Sequence, residues 1–388
     1  MRYIWQHTQN IIEGYDGKLP LSHFLKKYFK DRPKLGSRDR KLLSELVYCW
    51  YRCSRGIRNS EPGIRDMELE AKACMFLCGT QEKIINDFLG EDWGFDAGMS
   101  TDERLQVIEE KGMTFDAGKL FTGRTELSEG ITKEEWLASM LHKPKLFIRI
   151  RKNKAQLIAI LNENNIPFEE INENCLALPI GAAIDTMLPA DCYAVQDASS
   201  QATGSFFKPN KNEAWYDCCS GAGGKSLLLK DMEPSVQLSI SDTRESIIQN
   251  LKTRFKLYHL EQPTIYNIDV ANKEAVQQKL GDKQFDAIIC DAPCSGSGTW
   301  ARTPEQLYFF EPKRLTQFAK TQKNIAANVS AYLKRGGKLI YITCSVFKEE
   351  NEDVVKELVK QGLQSEQMQM INGVQGGADS MFVAVLKK

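Results

Sequence analysis

The sequence predicts an α/β chain in three parts: a helical domain over 1–140, a small α/β subdomain over 141–190, and a Rossmann-like sheet over 191–388. Three observations carry that prediction. Apolar residues recur at helical spacing up to residue 140, and short strands and helices follow it. From "WYDCCSGAGGKS" onward, strand, glycine turn and helix repeat, as in a doubly wound parallel sheet. With 388 residues, 42% hydrophobic and 26% charged, the chain has room for two or three globular domains.

The helical part rests on three stretches. In "SRDRKLLSELVYCWYR", 37–52, a Ser/Asp start precedes Leu42, Leu43, Leu46, Val47 and Trp50 at helical spacing. "ERLQVIEEKG" reads similarly, and "TKEEWLASML" sets Thr132 and Glu135 in capping-box order. A boundary falls near His142-Lys143-Pro144. Beyond it "KLFIRIRK" alternates like a strand, and "NKAQLIAILNENN" reads as a helix ending in Asn.

Composition bounds the setting. No apolar run approaches the roughly 20 residues that span a bilayer, and the opening "MRYIWQHTQNIIEGYDGK" has no signal-peptide core. A cytoplasmic protein without membrane contact is expected, and a monomer. The 11 cysteines are too scattered for a disulfide framework and none forms a CxxC pair. Cys49/Cys53 and Cys74/Cys78 have i, i+4 spacing with no histidine nearby, so no metal is expected and a reducing compartment fits. The net charge is zero but uneven: residues 1–60 carry 13 Lys and Arg against 5 acids, and residues 61–140 carry 8 against 18. Lys143 to Lys154 then holds six basic residues and no acid. Such zones are either a phosphate-binding footprint or solvated faces.

Four motifs carry the chemistry. In "AWYDCCSGAGGKSLLL" a strand ends at Asp217, and Ser220-Gly221-Ala222-Gly223-Gly224 turns into a helix beginning near Lys225. Glycines there let backbone approach a ligand; GxxxxGK[ST] and GxGxxG are both absent. "LSISDTRES" places Asp242 at the next strand end, where an acid commonly accepts from ribose hydroxyls, and "TIYNID" repeats the arrangement with Asp269. Each Asp also reads as a helix N-cap; their alignment outlines a nucleoside pocket. In "FDAIICDAPCSGSGTW" a buried strand projects Asp291-Ala292-Pro293-Cys294. Cys344, in "LIYITCSVFKEENEDVV", falls one strand later at the same edge. By itself Cys344 reads as a core filler or as a nucleophile. Two strand-end cysteines beside a nucleoside pocket suggest covalent base chemistry. A thiolate adds to C6 of a pyrimidine, C5 takes a methyl group, and a second group assists elimination. An ordinary thiol needs activation for this, for which the strand-end loop and Lys225 are the candidates.

At these motifs the chain resembles the Sun/RsmB/Nop-type RNA cytosine-5 methyltransferases, nearest the bacterial 16S rRNA member. "DCCSGAGGKS", "DAPCSGSGTWARTPE" and "YITCSVFKEENE" carry the resemblance, with "YAVQDASSQ", "LKRGGKLIY" and "DSMFVAVLKK" in support. It covers about 190–388. It implies a methyltransferase sheet that binds S-adenosylmethionine through Cys219, Ser220, Gly221, Ala222, Gly223, Gly224 and Lys225. Asp242 would hold the ribose, Asp269 would lie near the adenine, and Asp291 would face methionine and the target base. The resemblance further implies that Cys344 attacks C6, that Cys294 assists release, and that Lys225 lies near the catalytic thiol. Two departures stand out: Ala222-Gly223 where many members have Pro-Gly, and Phe347-Lys348-Glu349 where a proline often precedes the glutamates. "SRDRKLLSELVYCWYR" resembles a stretch of the NusB-like helical domain of the 16S rRNA member, which implies RNA contact by residues 1–140.

The expected partner is structured RNA, rRNA ahead of tRNA, with the cytosine single-stranded or flipped out. Arg38, Arg40, Lys41, Lys143, Lys145, Arg149, Arg151 and Arg302 are candidate phosphate contacts, whose affinity falls with salt. A DNA cytosine methyltransferase would use the PC cysteine as nucleophile and carry an ENV-like motif, which is absent. An idle RNA-binding assembly factor of the same fold is the other alternative; retention of Cys294, Cys344, Asp291 and Lys225 speaks against it.

Overall fold

The structure, a computed structural model, describes residues 2–59, 66–80 and 82–388. It divides into two units. The chain opens with α1 (Arg2–Gly14), α2 (Leu21–Lys30) and α3 (Ser37–Cys53), then β1 (Ile57–Asn59) and α4 (Met67–Cys78). There follow α5 (Glu82–Leu89), α6 (Thr101–Glu110), β2 (Met113–Phe115) and α7 (Lys133–Ser139). The stretch predicted over 37–52 is α3, which buries Leu42, Leu43, Leu46, Val47 and Trp50. The capping box of α7 is formed: Thr132 Oγ1 accepts from the Glu135 amide at 3.2 Å, and Glu135 reaches back to Thr132.

The second unit begins with β3 (Leu146–Ile150), α8 (Lys154–Glu163), β4 (Glu169–Asn172), β5 (Cys175–Leu178) and β6 (Tyr193–Val195). These strands form an antiparallel sheet in the order β4-β5-β3-β6. After α9 (Ala198–Ala202) come β7 (Ala214–Asp217), α10 (Gly224–Met232), β8 (Gln237–Asp242), α11 (Glu245–Leu257) and β9 (Thr264–Asn267). The chain continues through α12 (Lys273–Leu280), β10 (Phe285–Asp291), α13 (Pro304–Phe309), α14 (Arg314–Ser330) and β11 (Leu333–Thr343). It ends with α15 (Glu352–Lys360), β12 (Gln364–Ile371) and β13 (Met381–Lys387).

The large sheet runs β12-β13-β11-β10-β7-β8-β9. Strands β11, β10, β7, β8 and β9 are mutually parallel, and β13 and β12 close one side antiparallel. Trp215, Ala287, Ile289, Ile340 and Ile342 share one face and pack with Leu227 and Leu229 of α10 and Leu251 and Phe255 of α11. Tyr216, Ile288, Cys290, Leu339 and Tyr341 alternate with them and are equally buried. A parallel sheet covered on both faces explains why these strands read as continuous apolar runs. Each such side chain contributes about 1.5–3 kcal/mol through burial.

The division departs from the three segments read along the sequence. The first unit is Met1–Arg124, Thr132–Lys143 and Thr299–Pro312; everything else forms the second. The stretch 299–312 joins the helices through its aromatic rings: Phe309 lies 5.5 Å from Tyr15, Tyr308 5.1 Å from Tyr51, and Trp300 6.1 Å from Phe121, centroid to centroid. The small sheet falls in the same unit as the large one. Among the described residues, no helix is long and apolar enough to cross a membrane, and no three His, Cys, Asp or Glu side chains gather as metal ligands would.

Candidate active site at the carboxyl edge of the sheet

Parallel pairing brings the carboxyl ends of five strands to one edge. In register, Asp217 sits opposite Ile289 and Ile240, Asp242 opposite Asn267, and Asp291 opposite Ile342. Strand β9 stops at Asn267, so Asp269 lies two residues past the strand end at which it was expected.

The turn after β7 is shaped by its glycines. Gly223 has φ +81°, and a Cβ there would meet Leu251 at 3.0 Å, so only glycine suits the start of α10. Ser220 donates its amide and hydroxyl to the Ser241 carbonyl at 2.9 and 3.1 Å, and the Gly221 amide donates to Asp242 Oδ2 at 3.1 Å. No atom lies within 4 Å of where a Gly221 Cβ would stand, so the backbone faces open space. Cys219 is half-buried, and the Ala222 carbonyl accepts from Arg254 at 2.7 Å. Asp242 is buried and also engaged by Arg244, through three bonds of 2.9 Å from its amide and guanidinium. Burial pushes that carboxyl up, but the Arg244 bonds outweigh it, and the group ends below its usual range. Asp269 is exposed and accepts from the Ala271 amide, a local turn.

Lys225 rises from the first turn of α10 into the protein and is buried. Its Nζ lies 2.6 Å from Asp291 Oδ2. Burial pulls the ammonium down. The charge and hydrogen bond of Asp291, with Cys344 and Asp217 nearby, more than offset it, so Lys225 stays above its usual value. Behind it Asp217 is enclosed, bonded to Ser226 Oγ at 2.6 Å, and pushed up to about 7 chiefly by burial.

The two thiols meet next to this pair. Cys294 Sγ and Cys344 Sγ are 3.3 Å apart and both are half-buried. The bond to Cys344 and then burial raise the Cys294 thiol well above its usual value. The loops that carry them touch: the Gly298 amide donates to the Cys344 carbonyl at 2.9 Å, and the Ser380 amide donates to the Gly298 carbonyl at 2.9 Å. A Cβ on Gly298 would meet the Ser380 oxygen at 2.0 Å, so this crossing requires glycine. The edge thus gathers two thiols, an ammonium–carboxylate pair and an open glycine turn, a set suited to covalent chemistry on a base beside a nucleoside-bearing cofactor.

The basic candidates divide. Arg149 and Arg151 are corrected by the structure: both side chains are buried and bind Asp231 of α10, at 2.6 and 2.7 Å. Alternation along β3 predicted an open face, but α10 supplies a carboxylate that covers it. Lys143 is likewise occupied, paired with Glu45 and bonded to Thr80. Lys145 pairs with Glu169 at 2.5 Å on the surface, Arg38 pairs with Asp87, and Arg40 Nε donates to the Leu35 carbonyl. Lys41 and Arg302 are exposed.

The motif reading missed two groups behind the thiols. Glu350 and Asn351 are wholly buried and bind the loops that hold Cys294 and Cys344. Their sequence signal is the "KEENE" run: acids in so apolar a neighbourhood, on a turn, imply internal partners.

Residues 205–384 match the family described as 16S rRNA methyltransferase RsmB/F. Ribosomal RNA small subunit methyltransferase B of Proteus mirabilis (strain HI4320) is 26% identical over 256 residues, 63% of this chain. That of Shewanella oneidensis is 31% identical over 180 residues, 46% of this chain. The chain spans 60% and 41% of those two relatives' lengths. Among solved structures, the protein PH0851 superposes with a TM-score of 0.67 at 18% identity, over 95% of each chain. NSun6 from Pyrococcus horikoshii with SFG gives 0.56 at 15% identity, covering 63% of this chain and 91% of that one. These two likenesses establish the fold.

Proposed function

We propose, from the match of residues 205–384 to the RsmB/F methyltransferase family, that this protein methylates C5 of a cytosine in structured RNA, with 16S rRNA as the substrate and S-adenosylmethionine as the donor. The observation that carries the reading is the thiol pair: Cys294 and Cys344, 3.3 Å apart, beside the Lys225–Asp291 pair at the carboxyl edge.

The residues present suit the donor. Cys219 to Lys225 form an open turn for its methionine end, and Asp242 is placed for the ribose once Arg244, whose side chain is 62% exposed, swings aside. When bound, S-adenosylmethionine supplies an electrophilic methyl group. Cys344 adds through its thiolate to C6 of the flipped cytosine, which makes C5 nucleophilic. The Lys225 ammonium sets a positive charge within reach of that sulfur, and Asp291 holds the ammonium in place. After methylation a base takes the C5 proton, for which Cys294 stands beside Cys344. The electron pair of that C–H bond restores the C5–C6 double bond as the C6–S bond breaks and Cys344 leaves as thiolate. Lys41 and Arg302, both exposed, are further candidates for phosphates, and Arg38 and Lys145 meet them by exchanging surface ion pairs.

Bisulfite sequencing of total RNA from a strain lacking the protein tests the assignment. One 16S rRNA cytosine should lose its mark. Loss at a tRNA position would redirect the substrate, and no loss anywhere would overturn the activity.

A further inference from the structure

One buried carboxylate behind the thiols touches both of the loops that carry them. Glu350 is 0% exposed. Its Oε1 accepts from the Ser295 amide at 2.8 Å and Gln322 Nε2 at 3.0 Å; its Oε2 accepts from Ser295 Oγ and Ser345 Oγ, each at 2.5 Å. Ser295 directly follows Cys294, and Ser345 directly follows Cys344. The same carboxylate therefore grips the residue after each sulfur. Gln322 also donates to the Pro293 carbonyl at 3.0 Å, holding the Cys294 turn from its other side. Asn351, by contrast, binds the Cys344 loop and not the Cys294 loop: it donates to the Ser345 carbonyl at 2.8 Å and accepts from Thr343 Oγ1 at 2.5 Å.

A buried carboxylate with four donors is costly to leave partly unpaired, so the two loops cannot drift apart without breaking a tightly held network. We propose that Glu350 is a positioning residue that sets the spacing of Cys294 and Cys344, keeping the thiol that assists release against the thiol that carries the base. The release role rests on the function proposed above; the spacing role does not. Attack requires Cys344, whose loop Asn351 also secures. Release requires both thiols, so it depends on the contacts between the loops. The Gly298 amide and Ser297 Oγ also cross between them, at 2.9 Å to the Cys344 carbonyl and 3.1 Å to Ser345 Oγ, but Glu350 alone of these grips the residue after each sulfur.

Glu350→Gln is the informative variant, because its amide keeps the shape and can donate to the two serine hydroxyls in turn. Its folding is checked by binding of labelled S-adenosylmethionine. In the RNA-free protein, dibromobimane bridges neighbouring thiols, and mass mapping of the linked peptides reports the Cys294–Cys344 link. Linking should slow about tenfold in Glu350→Gln; an unchanged rate overturns the spacing role. With substrate RNA, adduct formation should stay within about threefold of the parent while adduct decay slows about 10- to 100-fold. Equal losses in formation and decay would mean that Glu350 only supports the fold, and the proposal fails. If Glu350→Gln does not fold, Ser295→Ala, which removes one hydroxyl of the bridge, is judged by the same two measurements. A parent protein that forms no adduct would defeat the proposed function, while the linking rates would still judge the spacing.

Discussion

Cysteines gather in two places in this protein, and the same side chain behaves differently in each. On α3 and α4, Cys49, Cys53, Cys74 and Cys78 face one another, all wholly or almost wholly buried. Cys53 Sγ lies 3.7 Å from Cys78 Sγ, and both thiols donate to helix carbonyls one turn back, Cys53 to Cys49 and Cys78 to Cys74. The bond to Cys78, then burial, raises Cys49; burial is the leading cause for the other three. Enclosed in this way, they act as small apolar fillers. At the sheet edge, Cys294 and Cys344 are as close to one another but only half-buried, on loops tied by glycine and serine contacts, with the Lys225 ammonium nearby. Proximity of thiols is thus common to both places. Positive charge is common to both as well, since Lys143 acts on Cys49 and Arg52 on Cys78; what distinguishes the sheet-edge thiols is access.

Substitutions test that contrast, and the largest effect belongs to the sheet edge. Cys344→Ala should lower methyl transfer by about 10³-fold or more while labelled S-adenosylmethionine still binds. Normal turnover in that variant would sink the role given to Cys344. Cys294→Ala should turn over about 10- to 100-fold more slowly and accumulate a protein–RNA adduct that survives denaturing electrophoresis; a clean gel would move the release role elsewhere.

A smaller effect separates burial from function. Asp217, raised to about 7 by burial, contributes stability that is complete below the ordinary carboxylate range and is lost as pH climbs through about 7. Asp217→Asn keeps an acceptor for Ser226 and should remove that slope, a change of about 4 kcal/mol in urea titrations compared across the window. A parent protein whose stability is flat there would contradict the assignment. The smallest effect is expected in the helices. Cys53→Ser should cost about 1–2 kcal/mol and leave methyl transfer untouched. Iodoacetamide followed by peptide mapping should label Cys344 before any of the four helix thiols, and reversed order would erase the contrast.

The sheet was legible because strands such as "FDAIICD" and "LIYIT" are apolar throughout and end at glycine or proline turns, a pattern few other folds produce. The strand-end groups were legible for the same reason: once the order of parallel strands is guessed, Asp217, Asp242, Asp291 and Cys344 must share an edge. The fate of Arg149 and Arg151 was not legible. Period-two alternation says which residues share a face, not whether a carboxylate such as Asp231, 80 residues away or more, covers it. Glu350 escaped because its four donors come from Ser295, Gln322 and Ser345, two of them remote in sequence, and acids near a helix start usually face water. Asp269 was misplaced because a local Asx turn and a strand end leave similar marks in sequence.

The return of residues 299–312 to the helical unit has a consequence for how this protein is made. Leu21 donates its amide to Glu305, and Tyr15 and Tyr51 meet Phe309 and Tyr308 edge to face. The ribosome has therefore synthesised the opening helices, the small sheet and four of the five parallel strands of the large sheet before the last piece of the first unit emerges. An N-terminal fragment ending near 143 lacks that piece, and a fragment from 191 onward displays Trp300, Leu307 and Phe310, all buried in the intact protein, to water. Neither half is a natural unit of synthesis, and the molecule is best produced, stored and dissected whole.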